Sequence, residues 1–276
     1  MCSAFCAVLL AACSTSQQAI SGNNPISNKV QVSADLVHAP VGTADLTWNP
    51  DSHLLTVTVS ATGLAPNSTH PEHVHGGTCA SNPMGPILYT LNPLIADAHG
   101  DGVSVTNIKG VMNGIPASGW YVNVHNGPTL NTDLEARPIA CANVYNNNTS
   151  THAKQSVSLA LAGTMAPDES VHGSAHIQIE DNKVIVTMNV SGLAPNTTHM
   201  AHIHAGTCQA QGAVVYPLQP VVADVNGNAT STTVINNAKN FSASQLYINI
   251  HEAATMNGLT TQTGFNPIAC GNITYH

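Results

Sequence analysis

Apolar and polar residues alternate along much of this chain. Val184, Val186, Met188 and Val190 occupy every second position, with Thr187 and Asn189 between the later ones. A period of two sends one set of side chains into a core and the other toward solvent, as in a half-buried strand. The same reading predicts a hairpin from Ala44-Asp45-Leu46-Thr47-Trp48 and Leu54 to Ser60, turning at Asn49-Pro50-Asp51-Ser52. A second hairpin is expected from Ala175 to Glu180 and Val184 to Val190, turning at Asp181-Asn182-Lys183. No segment carries the caps and 3.6-residue period of a long amphipathic helix. Short strands with regular turn signals indicate an all-β sandwich or barrel.

The pattern is written twice. Gly63-Leu64-Ala65-Pro66-Asn67 returns as Gly192-Leu193-Ala194-Pro195-Asn196, and Thr69 to Cys79 returns as Thr198 to Cys208. The offset is constant, since 199 − 70 and 208 − 79 both give 129. Further on, Trp120-Tyr121-Val122-Asn123-Val124-His125 is matched by Leu246-Tyr247-Ile248-Asn249-Ile250-His251. Arg137-Pro138-Ile139-Ala140-Cys141 is matched by Asn266-Pro267-Ile268-Ala269-Cys270. Two repeats are expected, 28–145 and 154–276, joined by a polar linker at 146–153.

The repeated residues carry a chemistry. In an extended segment, His73-Val74-His75 and His202-Ile203-His204 each place two imidazoles on one face and an aliphatic residue on the other. His125 and His251 lie on the non-aliphatic face of the later strand, beside Tyr121 and Asn123 or Tyr247 and Asn249. His70 and His199 stand three residues before each pair, as candidate ligands or supports. An all-imidazole set without thiolate suits copper, with zinc as second choice. Copper binding is expected to weaken below about pH 6 as the imidazoles protonate. Met84 follows the first cluster only, so a thioether ligand is not expected there. His38, His53, His99, His152, His172, His176 and His276 lack counterparts and are read as surface residues.

Composition narrows the choices. Charged residues make up only 7% of the 276, so the surface must be built largely from neutral polar residues. Six Lys and Arg with a net charge of −8 exclude a nucleic-acid partner, because phosphate binding needs clustered cations. Residues 1–12 read as a signal peptide, in which Leu10-Ala11-Ala12-Cys13 resembles a bacterial lipoprotein site without the usual basic start. Cys13 would then carry lipid, residues 13–27 would be a flexible tether, and the protein would sit in a bacterial cell envelope, periplasmic or on the cell surface. The membrane would be met only through that anchor. Of the seven cysteines, Cys79, Cys141, Cys208 and Cys270 remain in the repeats. Their spacings match, 141 − 79 = 62 and 270 − 208 = 62, so one disulfide per repeat is the economical pairing.

These motifs resemble the CHRD (chordin-type) domain, present twice. They are also similar to copper/zinc superoxide dismutase, a Greek-key β-barrel in which a His-Val-His pair and a later histidine bind copper beside a disulfide. That resemblance implies two tandem Greek-key barrels or sandwiches, with His73, His75 and His125, or His202, His204 and His251, as ligands. It implies no zinc site. Arg137 would guide substrate only if the chain were dismutase-like, and the second repeat has Asn266 in its place. Three functions follow: an anchored copper-binding protein for metal handling or tolerance, a copper-only dismutase, or an adhesive module that ignores metals.

Overall fold

The computed structural model describes residues 30–81, 84–180, 182–238 and 241–275. The expected signal peptide, Cys13 and the tether lie outside the described residues. In chain order the first ten strands are β1 (Val30–Leu36), β2 (Val41–Asn49), β3 (Leu54–Thr62), β4 (Thr69–His70), β5 (Glu72–Gly76), β6 (Ile87–Thr90), β7 (Leu94–Ile95), β8 (Gly102–Lys109), β9 (Trp120–His125) and β10 (Pro138–Asn143). The others are β11 (Gln155–Leu161), β12 (His172–Glu180), β13 (Lys183–Ser191), β14 (Thr198–His199), β15 (Ala201–Thr207), β16 (Ala210–Pro217), β17 (Val221–Val222), β18 (Ala229–Asn236), β19 (Leu246–His251), β20 (Pro267–Asn272) and β21 (Thr274–Tyr275). Two one-turn helices, α1 (Asp133–Ala136) and α2 (Gln262–Phe265), precede β10 and β20.

The strands form two sandwiches. One packs the sheet β10-β9-β5-β6 on β11-β2-β3-β8, and the other packs β16-β15-β19-β20 on β18-β13-β12-β1-β21. Both expected hairpins are present, as β2–β3 and β12–β13. Alternation fills the gap between sheets. In the first unit Leu46, Val57 and Val59 meet Val74, Val122 and Val124, all at most 1% exposed. In the second, Val184, Val186 and Met188 meet Ile203, Ile248 and Ile250. The repeated Gly-Leu-Ala-Pro-Asn segment is a turn that needs the left-handed region at both ends. Gly63 and Gly192 have φ of +78° and +84°, and Asn67 and Asn196 have +59° and +62°. Glycine and asparagine are the residues that enter that region most readily.

The sheets cross the sequence repeat. β1, from the first repeat, pairs along its whole length with β12 of the second, from Val30↔Ile179 to Leu36↔Gly173. β11, which opens the second repeat, pairs along its whole length with β2 of the first, from Gln155↔Trp48 to Leu161↔Gly42. Val32, Ala34 and Leu36 therefore join the second core, and Val157, Leu159 and Leu161 join the first. Just past each exchanged strand the chain clamps to a disulfide cysteine of the unit it completes. Val37 and Cys270 exchange two backbone hydrogen bonds, 3.0 and 2.8 Å, and Ala162 and Cys141 do the same at 3.2 and 2.8 Å.

The units also meet through polar contacts from matching positions. Arg137 Nη1 lies 2.7 Å from Glu252 Oε1 and 3.6 Å from Asp168 Oδ2. Asn266, the counterpart of Arg137, donates to the carbonyl oxygen of Asn126, the counterpart of Glu252, at 2.9 Å. Gln262 closes the contact, donating to Thr69 O at 2.7 Å and accepting from Thr69 N at 2.9 Å. The disulfides are Cys79–Cys141 and Cys208–Cys270, one in each half, as the spacing suggested.

Candidate metal centres

Register decides how the histidines meet. β5 runs beside β9 with His73 opposite Asn123 and His75 opposite Tyr121. β15 runs beside β19 with His202 opposite Asn249 and His204 opposite Tyr247. The third histidine stands one step beyond each register, its backbone N–H bonded to Pro71 O or to Met200 O. Because Val74 and Ile203 take the core face, the imidazoles take the outer face of the sheet.

That outer face is covered. His73, His75 and His125 are 4%, 2% and 1% exposed, and their counterparts no more than 1%. The sequence placed the His pairs away from the apolar core, which holds, but they are buried all the same under the loop before β6 or the β15–β16 hairpin and the segment before β10 or β20. In each trio one ligand nitrogen per ring lies within 4.8 Å of the others.

Backbone carbonyls set the tautomers. A carbonyl oxygen only accepts, so the ring nitrogen facing it carries the hydrogen. His75 Nδ1 donates to Gly85 O at 2.8 Å and His125 Nδ1 to Ala136 O at 2.6 Å. His204 Nδ1 donates to Gly212 O at 3.1 Å and His251 Nδ1 to Phe265 O at 2.6 Å. The Nε2 lone pairs of all four rings are thereby left for the centre of the trios. In the first trio His73 Nδ1 lies 3.0 Å from His125 Nε2, and His75 Nε2 has no hydrogen-bond partner. In the second, the Nε2 atoms of His204 and His251 face each other at 3.4 Å, two lone pairs with no hydrogen between them, and His202 Nδ1 has no partner. Metal–nitrogen bonds of about 2.0 Å put neighbouring nitrogens roughly 3.3–3.5 Å apart, close to the spacing of one pair in each trio.

Burial, with a smaller contribution from neighbouring imidazoles, lowers His73 and His125 to about 4 and His204 to about 4. It lowers His251 to about 3 and also depresses His75 and His202. At neutral pH all six rings are neutral, the state in which an imidazole can hold a metal ion. Tyr121 stacks on His75 with centroids 4.9 Å apart, and Tyr247 on His204 at 5.0 Å, which fixes those rings further.

His70 and His199 stand outside the trios. His70 uses both nitrogens elsewhere, Nδ1 on His125 O at 2.8 Å and Nε2 on Ser68 Oγ at 2.7 Å. His199 Nδ1 likewise meets His251 O at 3.1 Å, while its Nε2 faces Thr197 Oγ1 at 2.9 Å and Asp168 Oδ1 at 3.3 Å. Each braces the backbone of the third histidine of its trio. Burial pulls His199 down, but the hydrogen bond and charge of Asp168, with the charge of Glu252, outweigh it and raise its pKa. Arg137 is engaged with Glu252 and Asp168 across the two units. His38, read as a surface residue, is half-buried beside the β1–β2 crossover and bonded to Ile139 O at 2.9 Å. The bracing carbonyls of Gly85, Ala136, Gly212 and Phe265 have no sequence signal, because every residue carries a carbonyl.

The CHRD-domain profile matches residues 19–128 and 153–259, more than three quarters of the chain. The chain belongs to the CHRD-domain family. Both trios of this CHRD protein lie within those segments. Nothing among curated proteins matches it. Among solved structures, the clock protein EA4 matches with 20% identity and a TM-score of 0.30, over 38% of this chain and 88% of that one. That likeness is too slight to transfer any property.

Proposed function

We propose that this CHRD protein binds one copper ion in each half, through His73 Nδ1, His75 Nε2 and His125 Nε2, and through His202 Nδ1, His204 Nε2 and His251 Nε2. Zinc is the second choice. The observation that carries the reading is the pair of Nε2 lone pairs of His204 and His251, held face to face at 3.4 Å by carbonyls behind each ring. Two buried acceptors in contact are unfavourable unless a cation lies between them. Three neutral nitrogens without a thiolate leave a position for water or a fourth ligand, and they suit copper above harder ions.

Two disulfides fit an oxidising compartment. Among the described residues, no helix is long and apolar enough to cross a membrane. Attachment to a bacterial envelope through lipid on Cys13 is part of this proposal, with metal handling or tolerance as the role. A dismutase-like reading would need Arg137 free to meet substrate, whereas it is paired with Glu252 and Asp168.

Thermal unfolding tests the reading. A ligand that binds only the folded state, at a thousand times its Kd, adds about 4 kcal/mol of stability. Copper should raise the midpoint by several degrees and a chelator should reverse the rise. A midpoint indifferent to copper and zinc would support the metal-free adhesive module.

A further inference from the structure

The two trios differ in what lies beside them. In the second half β15 turns directly into β16 at Cys208 and Gln209. In the first half a longer loop separates β5 from β6, and Gly85 on it holds both His75, through its carbonyl, and Tyr121, whose Oη accepts from its N–H at 3.0 Å. Met84 precedes Gly85. It borders a groove of about 440 Å³ together with Met165, Tyr121, Asn123 and Glu169. Asn123 is fully buried and stands opposite His73 in the ladder. Its Nδ2 lies 3.5 Å from Met84 Sδ, and its Oδ1 has no hydrogen-bond partner. Met165, on the crossover between the units, is 91% exposed. The groove thus offers two thioethers and an unpartnered amide oxygen, and its lining residues Tyr121 and Asn123 stand opposite His75 and His73 in the ladder.

We propose that this groove is an entry site for a soft monovalent cation, Cu(I), which passes by ligand exchange to His73, His75 and His125. The inference rests on the reading of the first trio as a copper centre. Thioethers hold Cu(I) in preference to harder or divalent ions, and they release it to imidazole without any change of oxidation state. The β15–β16 turn beside the second trio carries no methionine, so the entry site is confined to the first half.

The test uses the full chain with ¹³C-methyl-labelled methionine and silver nitrate, Ag(I) being a redox-inert substitute for Cu(I). The methyl signals of Met84 and Met165 should shift with the first equivalents. Those of Met112 and Met256, both 60% exposed, should stay in place. Met84→Leu/Met165→Leu keeps the shape and removes both sulfurs. It should take Cu(I) from a bicinchoninate complex into the first trio about tenfold more slowly at unchanged final occupancy, since the groove affects rate and not the site itself. His73→Gln should retain the methyl shifts and lose copper retention. Methyl shifts no larger at Met84 and Met165 than at Met112 and Met256, or loading unchanged in the double leucine variant, would overturn the entry site. Shifts that persist while His73→Gln keeps full copper would overturn the trio and leave the groove standing.

Discussion

A buried imidazole resists charging, and six of them here are held neutral. Their pKa values in the folded chain fall to about 4 for His73, His125 and His204, and to about 3 for His251, against 6.5 unperturbed. Between those limits the unfolded chain binds more protons than the folded one, so metal-free stability falls as pH drops from about 6.5 toward about 4. Urea melts of the chelated protein across that window should show this slope, and His73→Gln should flatten it. The same depression changes the expected pH of metal release. Ordinary imidazoles would lose copper below about pH 6, whereas burial should keep it bound until about pH 4. Dialysis at pH 5 that strips all copper would contradict the burial argument.

Glu72 behaves in the opposite sense. It lies on the core face of β5, accepts from Ser104 Oγ at 2.5 Å, and is raised to about 8 by burial, the Ser104 hydrogen bond opposing. The folded state therefore holds the proton that the unfolded state releases. Its stabilising contribution is full below about pH 4.5 and is lost as pH rises through about 8. Glu72→Gln should remove that decline, read as denaturant midpoints at pH 6 and pH 9. Ala201 fills the position in the other half, so this residue belongs to one core alone.

At the scale of strands, the alternation was readable and the partners were not. Val32-x-Ala34-x-Leu36 and Val157-x-Leu159-x-Leu161 show the same period of two, which says which side chains turn inward but not against which sheet. Either strand satisfies either core, and only the three-dimensional path of 37–40 and 162–171 assigns them. The histidine pairs were legible because His-x-His fixes its own geometry, and the third histidine of each trio because Tyr-x-Asn-x-His repeats. The bracing role of His70 and His199 was not, since it depends on the backbone of a strand 52 or more residues away. The exchange has a local consequence. Leu36→Ala should cost about 2–5 kcal/mol, as for other buried leucines, and should be felt in the second unit. Amide exchange should accelerate in β12 and β13 and stay slow in β2 and β3, with Leu161→Ala giving the reverse. Acceleration of each mutant's own repeat would contradict the exchange.

For the whole molecule, two sandwiches are closed on each other by strands, by the Arg137–Glu252 and Asn126–Asn266 contacts, and each by a disulfide spanning 62 residues. Closing loops of that length contributes roughly 4 kcal/mol per unit in the chain-entropy account. Reduction should therefore lower the unfolding midpoint of both units while the metal-bound form resists more than the chelated one. Labelled fatty acid should report on the proposed anchor, and Cys13→Ser should abolish that label.

The central claim is that each half holds copper through its own three histidines. Its most direct test is a calorimetric copper titration of the wild-type chain beside His73→Ala/His75→Ala and His202→Ala/His204→Ala, with near-ultraviolet dichroism confirming that each remains folded. Two equivalents are predicted for the wild type and one for each folded variant. Two equivalents at wild-type affinity in both folded variants would show that the histidines bind no metal and that the trios are structural.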